Sequence, residues 1–316
     1  MNKWKRDAAS LLDPYMEQNA FHVGRTCRDG FILVAVLWIL GGLAVLAAIY
    51  TLYVVNAAIS LEVNNDRIQA DASVSGALEL TAYYLGAVKS EERPTSGQFN
   101  FRAGDTNVAV RFLSESARID LNSADKPLLA GLFRVLGADA DSANSYAERV
   151  IGWRTSATNQ NPDQDKEIAA YRNAGLTYNP REAPFANVQE LWLVLGLPPA
   201  LVERAMPFVT IFSGLPNINV MDAAPEVIAA LPGMSPERLT EVLNQRAALS
   251  TDARPIMQML GPAQSSAGAI GSNAMRVMVQ VDLARGRRIN AEAVILLLED
   301  APDPYRVLSW TDDFDG

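Results

Sequence analysis

The sequence predicts an α+β protein in which one long N-terminal helix packs on a small antiparallel sheet and a large all-helical segment is inserted between the strands. Three observations lead to this fold class. An uncharged apolar run occupies residues 31–55, and segments of alternating apolar and polar residues occur near residue 100 and after residue 273. Between these segments, apolar residues recur with the period of a helix.

The apolar run is long enough to cross a bilayer. From Phe31 to Val55 there are 25 residues without a charge, which span roughly 37 Å as a helix. A secretory signal has a shorter apolar stretch of about 7 to 15 residues, and a buried core helix rarely stays apolar on every face. The run therefore predicts a transmembrane helix.

Basic residues near the run predict its orientation. The first thirty residues hold five basic side chains, whereas Arg67 is the one basic residue among the twenty that follow Val55. Because basic residues favour the cytoplasmic side, we expect a cytoplasmic N-terminus and an exported C-terminal part. Beyond residue 30 the chain has 22 basic and 32 acidic side chains, and this net charge of −10 argues against binding of polyanions.

Composition excludes several kinds of chemistry from the exported part. The sequence has one cysteine and one histidine, Cys27 and His22, and both precede the apolar run. The exported part therefore has no disulfide, no zinc site built on Cys or His, no cysteine nucleophile and no histidine base. No spacing of residues suggests carboxylate or Ser/Lys catalysis, so we expect that the protein is not an enzyme.

The helical pattern continues beyond the membrane run as an amphipathic helix. Apolar residues recur among polar ones at Ile59, Leu61, Val63, Ile68, Ala72, Leu78 and Leu85. No proline interrupts this pattern before Pro94, and residues 90–97 end it. Two alternating segments, residues 98–102 and 107–113, then predict a hairpin that turns at Ala103-Gly104-Asp105.

An internal echo predicts helical units in the middle of the chain. IDLNSADKPLLAGL at residues 119–132 resembles INVMDAAPEVIAAL at residues 218–231, at an offset of 99 residues. In both copies a short extended piece precedes a polar cap, Ser123 or Asp222, and an apolar helix with a proline near its first turn.

A looser third copy is ANVQELWLVLGL at residues 186–197, where Asn187 and Glu190 have the spacing of a capping box. Together the copies predict short helix-turn-helix units with an insertion near residues 155–184. The period then changes again, because residues 274–284, 289–299 and 306–310 read as strands. With the first hairpin they would form the sheet that packs on the long helix.

The start of the apolar run resembles the type IV prepilin-like proteins. A basic leader ends in Gly30, the aromatic Phe31 follows, and the apolar helix is unbroken. The resemblance implies that a prepilin peptidase cuts between Gly30 and Phe31 and methylates the new N-terminus. Translation from Met16 in place of Met1 would give the shorter leader usual in the family.

The fifth residue of the implied mature chain departs from the family. Most members have a glutamate there, and this chain has Ala35. A carboxylate at bilayer depth is costly unless it is paired, and in the family it is thought to pair with the N-terminal amine of the subunit above. A subunit at the tip of the filament has no such neighbour and can do without it.

Four further motifs narrow the resemblance. RIDLNSAD, FANVQELWLVLGLP, NINVMDAAPEVIAALPGM and PYRVLSW occur in the order found in the general secretion pathway protein K family, the minor pseudopilins of type II secretion. The resemblance implies a tip protein that initiates and caps the pseudopilus, in an inner membrane, with other minor pseudopilins and the major pseudopilin as partners. The implied domains are a leader (1–30), a transmembrane helix (31–55), the start of a pilin-like domain (56–117), an inserted helical domain (118–272) and the strands that complete the sheet (273–316).

A DNA-binding function is the alternative. LPGMSPERLTEVLNQR resembles a helix-hairpin-helix, a motif that binds DNA phosphates through backbone N–H groups, as in membrane-anchored competence proteins. Against this, Ser235 replaces the second hairpin glycine, and the following helix offers only Arg238 and Arg246 beside two glutamates. The same hairpins could simply build a helical core, so we expect no nucleic-acid partner.

The family resemblance also implies calcium in the helical domain. Asn159, Asn161, Asp163 and Asp165 place oxygen ligands at alternate positions, as a hard cation prefers. However, the family's acidic loop is replaced by GWRTSATNQNPDQDKE, which has no glutamate before Glu167. A solvated loop without metal is the other interpretation of this segment.

Overall fold

The computed structural model describes residues 29–156, 162–248, 253–283, 286–299 and 301–313. The chain forms two compact units, the first extending to Val63 and the second beginning at Asn64. The α-helices of the described residues are α1 (Asp29–Gly86), α2 (Lys126–Val135), α3 (Ala140–Arg154), α4 (Pro162–Asn173), α5 (Pro199–Ala205), α6 (Pro225–Ala229), α7 (Pro236–Ala248) and α8 (Arg254–Met259). The strands are β1 (Ser96–Ala103), β2 (Thr106–Ser114), β3 (Ile119–Asp120), β4 (Val209–Thr210), β5 (Ile218–Asn219), β6 (Ala267–Gly268), β7 (Ala274–Asp282), β8 (Arg288–Leu297) and β9 (Tyr305–Asp312).

The first unit contains the apolar part of α1. Its large side chains are exposed, as Phe31 at 76% and Trp38 at 79% illustrate. From Phe31 onward the helix is long and apolar enough to cross a membrane. A helix with apolar side chains exposed on all sides is stable only in lipid or against other apolar helices, so this part of α1 has the character of a membrane anchor.

The second unit contains a five-stranded antiparallel sheet in the order β1-β2-β7-β8-β9. Its first hairpin turns at Gly104 and Asp105, and the φ of Gly104 is +61°. A two-residue turn with a glycine at this first central position matches the twist of the strands. The hairpin near residue 100 and the three C-terminal strands that the sequence predicts are therefore confirmed.

The C-terminal half of α1 packs on one face of this sheet. Residues three or four apart on the helix form the buried stripe: Ala70, Val74, Ala77, Leu78, Thr81 and Leu85. Alternate strand residues meet them, because successive side chains of a strand point to opposite faces. On β2 these residues are Val108, Val110 and Phe112.

The sequence pattern was only partly right about which side of α1 faces the sheet. Leu78 and Leu85 are buried, but Ile68 is 61% exposed and Ala72 is also exposed. Ile68 precedes the buried Ala70 by two residues, which places it about 200° away around the helix. The buried stripe therefore combines small residues such as Ala70 with large ones such as Leu78, and Ile68 is exposed because it lies on the opposite side of the helix.

A helical segment, residues 115–272, is inserted between the adjacent strands β2 and β7. It preserves the sequence echo as two structural copies, β3–α2–α3 and β5–α6–α7. Each copy begins with a two-residue strand that pairs in parallel, β3 with β4 and β5 with β6. The offset of 99 residues therefore reflects a repeated unit and not only a repeated composition.

The predicted caps of these helices were wrong. The cap of α2 is Asp125, whose carboxylate accepts the N–H of Leu128 at 3.0 Å, and not Ser123. The cap of α6 is Ala224, which makes no side-chain bond, and not Asp222. Both helices begin two residues later than expected, because a turn separates each of them from its strand.

That turn is made by the last residue of each short strand. Asp120 accepts the N–H of Asn122 at 2.7 Å, and its counterpart Asn219 accepts the N–H of Met221 at 3.0 Å. Asp and Asn side chains favour such turns because they bond to backbone groups two residues ahead. Asp120 and Asn219 thus form the turns of the two copies, and the N-cap of each helix lies later in the sequence.

The third, looser copy forms a short 3₁₀ helix, Val188–Leu193. Asn187 caps it by accepting the N–H of Gln189 at 2.9 Å, but Glu190 accepts the N–H of Ala186 and not that of Asn187. The predicted capping box is therefore only half formed. Trp153 Nε1 donates to the other oxygen of Glu190 at 3.1 Å, which ties this helix to α3.

In each of the two strand-turn-helix copies, an arginine binds backbone carbonyls of the same copy. Arg154 at the end of α3 donates to the carbonyls of Leu121 and Ala124. Arg246 on α7 donates to the carbonyls of Val220 and Ala223, which are the residues 99 positions later. Each guanidinium thus binds the turn that precedes its own helix pair.

The second unit has two separate apolar cores. One lies between α1 and the sheet, and the other fills the helical segment, and they share no residue within the described ranges. Trp153, Tyr171 and Phe185 form the aromatic centre of the helical core, with Trp153 6.1 Å from Tyr171 and 6.2 Å from Phe185 between ring centroids. Burial raises the pKa of Tyr171 to about 12, and its hydroxyl accepts the N–H of Leu195 at 2.9 Å.

The two copies meet where α2 crosses α6, at Gly131. A Cβ added to Gly131 would lie 1.9 Å from the carbonyl oxygen of Ala230. Ala230 is the counterpart of Gly131 in the second copy, since the two are 99 residues apart. The backbones approach so closely here that only glycine fits.

Replacing this glycine should therefore unfold the helical segment more readily. We expect Gly131→Ala to lower the free energy of unfolding by about 1 to 3 kcal/mol or more, because backbone must move to admit the methyl group. Gly76→Ala on α1 is the matched control, since nothing lies within 4 Å of its added Cβ and alanine favours a helix by about 0.5 to 1 kcal/mol. Urea unfolding of the detergent-solubilised chain measures both, and equal midpoints would contradict the close contact.

Candidate assembly surface

The predicted processing residues lie at the beginning of α1. The helix starts at Asp29, so the bond between Gly30 and Phe31 lies in its first turn. Ala35 follows about one turn later and is partly exposed. Its methyl group offers no charge to a neighbouring amine. The leader up to residue 28, with His22 and Cys27, lies outside the described residues.

A second exposed surface lies on α1 within the second unit and was not anticipated from the sequence. We call it the outer face of α1. It consists of exposed or half-exposed apolar and small residues on the side away from the sheet: Ile68, Ala72, Ser75, Gly76, Leu80 and Tyr83. Large side chains stand at its two ends, where Ile68 is 61% and Tyr83 is 77% exposed.

The middle of the outer face is shallow. Ala72, Ser75 and Gly76 are small, and a Cβ at Gly76 would have nothing within 4 Å. Beside this surface, Tyr305 of β9 donates its hydroxyl to Glu79 at 3.1 Å. Small residues between larger ones allow a second helix to approach and to pack its side chains into the depression. The geometry therefore suits a helical partner.

The calcium expectation falls largely on residues that the structure does not describe. Asn159 and Asn161 lie outside the described residues, and Asp163 and Asp165 belong to the first turn of α4. Among the described residues, no group of three or more His, Cys, Asp or Glu side chains could hold a metal ion. Calcium binding stays a prediction.

Glu167 on α4 is the least well satisfied carboxylate of the described residues. One oxygen accepts a hydrogen bond from Arg149 at 2.7 Å, while the other is buried without a partner. Burial raises the pKa of Glu167, and the nearby Arg149 opposes that shift. The neighbouring Glu148 adds a smaller upward contribution to the pKa.

The arginines that a DNA-binding function would use are engaged within the fold. Arg238 donates to the carbonyl of Gly233 at 3.1 Å, and Arg246 donates to Ala223 at 2.6 Å. Ser235, which stands at the second hairpin glycine, accepts the N–H of Arg238 at 3.3 Å. These contacts hold the helix pair together and occupy guanidinium N–H groups that would otherwise be available to a phosphate.

Comparisons with known proteins agree with this architecture. Residues 106–214 match the family model described as "Type II secretion system (T2SS), protein K". The matched part runs from β2 to just beyond β4, so it includes the first strand-turn-helix copy and the 3₁₀ helix. This match covers 109 of the 316 residues, and over that part the chain is similar to the type II secretion system protein K family.

A solved structure shares the fold. The chain resembles one in the crystal structure of the GspK-GspI-GspJ complex from the type 2 secretion system of enterotoxigenic Escherichia coli, with a TM-score of 0.51. The identity is 18%, and the similarity covers 80% of this chain and 98% of the other. No curated protein sequence matches significantly.

Both the matched family and the solved structure are type II secretion proteins, and the structural likeness shows the fold that this chain shares. The long apolar N-terminal helix agrees with a pilin-like membrane anchor. The comparisons do not bear on the cleavage site or on helix-hairpin-helix repeats, so both stay predictions.

The buried carboxyl of Glu167 leads to a pH-dependent prediction. Because its pKa is raised on folding, its stabilising contribution is present below the unfolded pKa and is lost as the pH rises through the folded value. We therefore expect the wild type to gain stability relative to Glu167→Gln when the pH falls from about 7.5 to about 4.5. Urea midpoints at both pH values measure this, with Glu241→Gln, at an exposed side chain, as the control. A constant difference between wild type and variant would contradict the burial of this carboxyl.

Proposed function

We propose that this protein is a minor pseudopilin that stands at the tip of the type II secretion pseudopilus, where it initiates assembly and caps the growing end. The observation that carries the proposal is Ala35, the position where most prepilin-like proteins have a glutamate. Without a carboxylate the chain has no group to pair with the N-terminal amine of a subunit above it. A subunit with nothing above it does not need that pair.

The inserted helical segment supports the same role. Residues 115–272 project from one junction of the sheet, between β2 and β7, and add their own core to the pilin-like domain. Such a mass would obstruct a further subunit on the same side while leaving the opposite side of α1 free. Growth would then proceed only by addition from below.

We further propose that the outer face of α1 binds other minor pseudopilins. The E. coli relative was crystallised in a complex with GspI and GspJ, and their counterparts would be the partners here. The apolar ends and shallow middle of the outer face suit the corresponding helices of two pilin-like subunits. The major pseudopilin would follow below.

Maturation and location follow the family resemblance. A prepilin peptidase would cut between Gly30 and Phe31 and methylate Phe31, and the apolar part of α1 would stay in the inner membrane. The five basic residues before the cut favour a cytoplasmic leader and a periplasmic second unit. Calcium in the helical segment would be a further family property.

The processing step can be tested directly. We expect Gly30→Lys to abolish cleavage, because a peptidase that recognises glycine before the cut cannot admit a long charged side chain. Ala35→Glu should be cleaved normally and should assemble with little change, since it only restores the family residue. The N-terminal sequence and mass of the protein, from membranes with and without the peptidase, give the result. Normal cleavage of Gly30→Lys would refute the assignment of the site.

The partner surface can be tested with one substitution at its shallow centre. Gly76→Trp should weaken recovery of the two other minor pseudopilins about tenfold, equivalent to about 1.4 kcal/mol, because the indole fills the depression. Asn144→Trp is the control, since Asn144 is exposed but lies on α3 of the helical segment and not on α1. Co-purification in detergent measures both. Unchanged recovery with Gly76→Trp would mean that the partners bind elsewhere.

A further inference from the structure

The boundary between the sheet and the helical segment is polar. The apolar core under the sheet and the apolar core of the helical segment share no residue in the part of the chain that the structure describes. The two cores are therefore separate, and buried polar residues lie between them. At the boundary lies Glu115, which is only 1% exposed and begins a single 3₁₀ turn, Glu115–Ala117, directly after β2.

Glu115 binds the sheet and the helical segment at the same time. From the sheet, Arg276 of β7 donates through Nε to Oε1 at 2.7 Å and through a terminal nitrogen to Oε2 at 3.2 Å. From the helical segment, the buried Thr210 of β4 donates its hydroxyl to Oε2. One carboxylate thus accepts hydrogen bonds from both sides of the boundary.

The electrostatic surroundings make this carboxylate difficult to replace. Arg276 also donates to Glu292 of β8, and Arg118 lies close by. Burial lowers the pKa of Arg118, and the charge of Arg276 lowers it further. Burial also acts against the charge of Arg276, but Glu115 and Glu292 together raise its pKa. Glu115 is thus the buried counter-charge of two adjacent arginines, while the side chain of Glu292 is 43% exposed.

The backbone pairing and the hydrogen bonds of Thr210 fix the direction in which its hydroxyl donates to Glu115. Its backbone belongs to the two-stranded pairing of β4 with β3, opposite Asp120. Its hydroxyl also accepts the N–H of Phe212 at 3.2 Å, so the donor proton is free to point at Glu115. Because Thr210 has a short side chain on a paired strand, its hydrogen bond to Glu115 holds the backbone of the helical segment at the boundary.

We propose that Glu115, with Arg276 and Thr210, is the latch that sets the orientation of the helical segment on the sheet. Buried ion pairs often add little net stability compared with apolar residues, but they can select one arrangement among several of similar energy. Here the arrangement selected is the angle between the pilin-like sheet and the helical segment. The inference does not depend on a tip location, because it concerns only how the two parts of the second unit are held.

Distance measurements between two spin labels test the latch in the full chain in detergent. Cys27→Ser removes the single cysteine, and Asn107→Cys on β2 and Asn144→Cys on α3 place labels on exposed positions of the two parts. The labelled protein with the native latch should give one narrow distance distribution. The substitution Thr210→Val removes the link from the helical segment while it leaves the Glu115–Arg276 pair, and it should widen the distribution about twofold.

A double substitution separates orientation from stability. Glu115→Leu with Arg276→Met replaces the pair by apolar residues, so the urea midpoint should be retained while the distance distribution widens. Arg288→Ala is the control, because it breaks the exposed pair with Asp282 inside the sheet and should leave the distribution narrow. If the double variant and Thr210→Val both fold and both keep the narrow distribution, the latch is refuted. If Thr210→Val alone folds, its distribution decides the question.

Discussion

The hydrogen bonds between Ser114 and Ser272 define the constraint on which the remainder of the second unit depends. The hydroxyl of Ser114 accepts the N–H of Ser272 at 2.9 Å and lies 2.9 Å from the hydroxyl of Ser116. Ser114 and Ser272 are 158 residues apart in sequence, and they lie where the chain leaves the sheet and where it returns to it. Closing so long a loop costs only slightly more entropy than closing a short one, so a large insertion is compatible with an intact sheet once its ends are joined. The helical segment can therefore fold around its own core, and Glu115 and Arg276 beside the junction can hold it at one angle.

Much of this architecture could be predicted because it follows from local periodicity. The long helix, the hairpin that turns at Gly104 and the three C-terminal strands all carry their pattern in consecutive residues. The echo between residues 119–132 and 218–231 predicted two equivalent units, and the structure contains them. Local patterns failed where a choice depended on distant partners. The buried side of α1 is set by what the sheet admits, so Ile68 points outward despite its apolar character.

The candidate sites divide in the same way. The proposed processing and assembly residues Gly30, Phe31 and Ala35 could be predicted because such a signal consists of residues close together in the sequence. The latch could not, because Glu115, Thr210 and Arg276 become neighbours only after the helical segment closes. In sequence, Glu115 resembles any surface glutamate after a strand. Arg154 and Arg246 could not be recognised either, because Arg154 lies 33 residues after Leu121 whereas Arg246 lies 26 residues after Val220, so an alignment at the constant offset of 99 does not pair them.

The contact of Gly131 with Ala230 shows what is gained when two similar units lie in one chain. These are equivalent positions of the two copies, and they touch in the manner of a residue that meets its own counterpart at the axis of a twofold dimer. Two identical copies packed this way would carry the same residue on both sides, either glycine twice or alanine twice. The present pair is mixed, with the glycine on the side where a methyl group would strike a carbonyl. Because both units lie in one chain, the two sides of the contact are not bound by symmetry, and each can carry the residue that its own side requires.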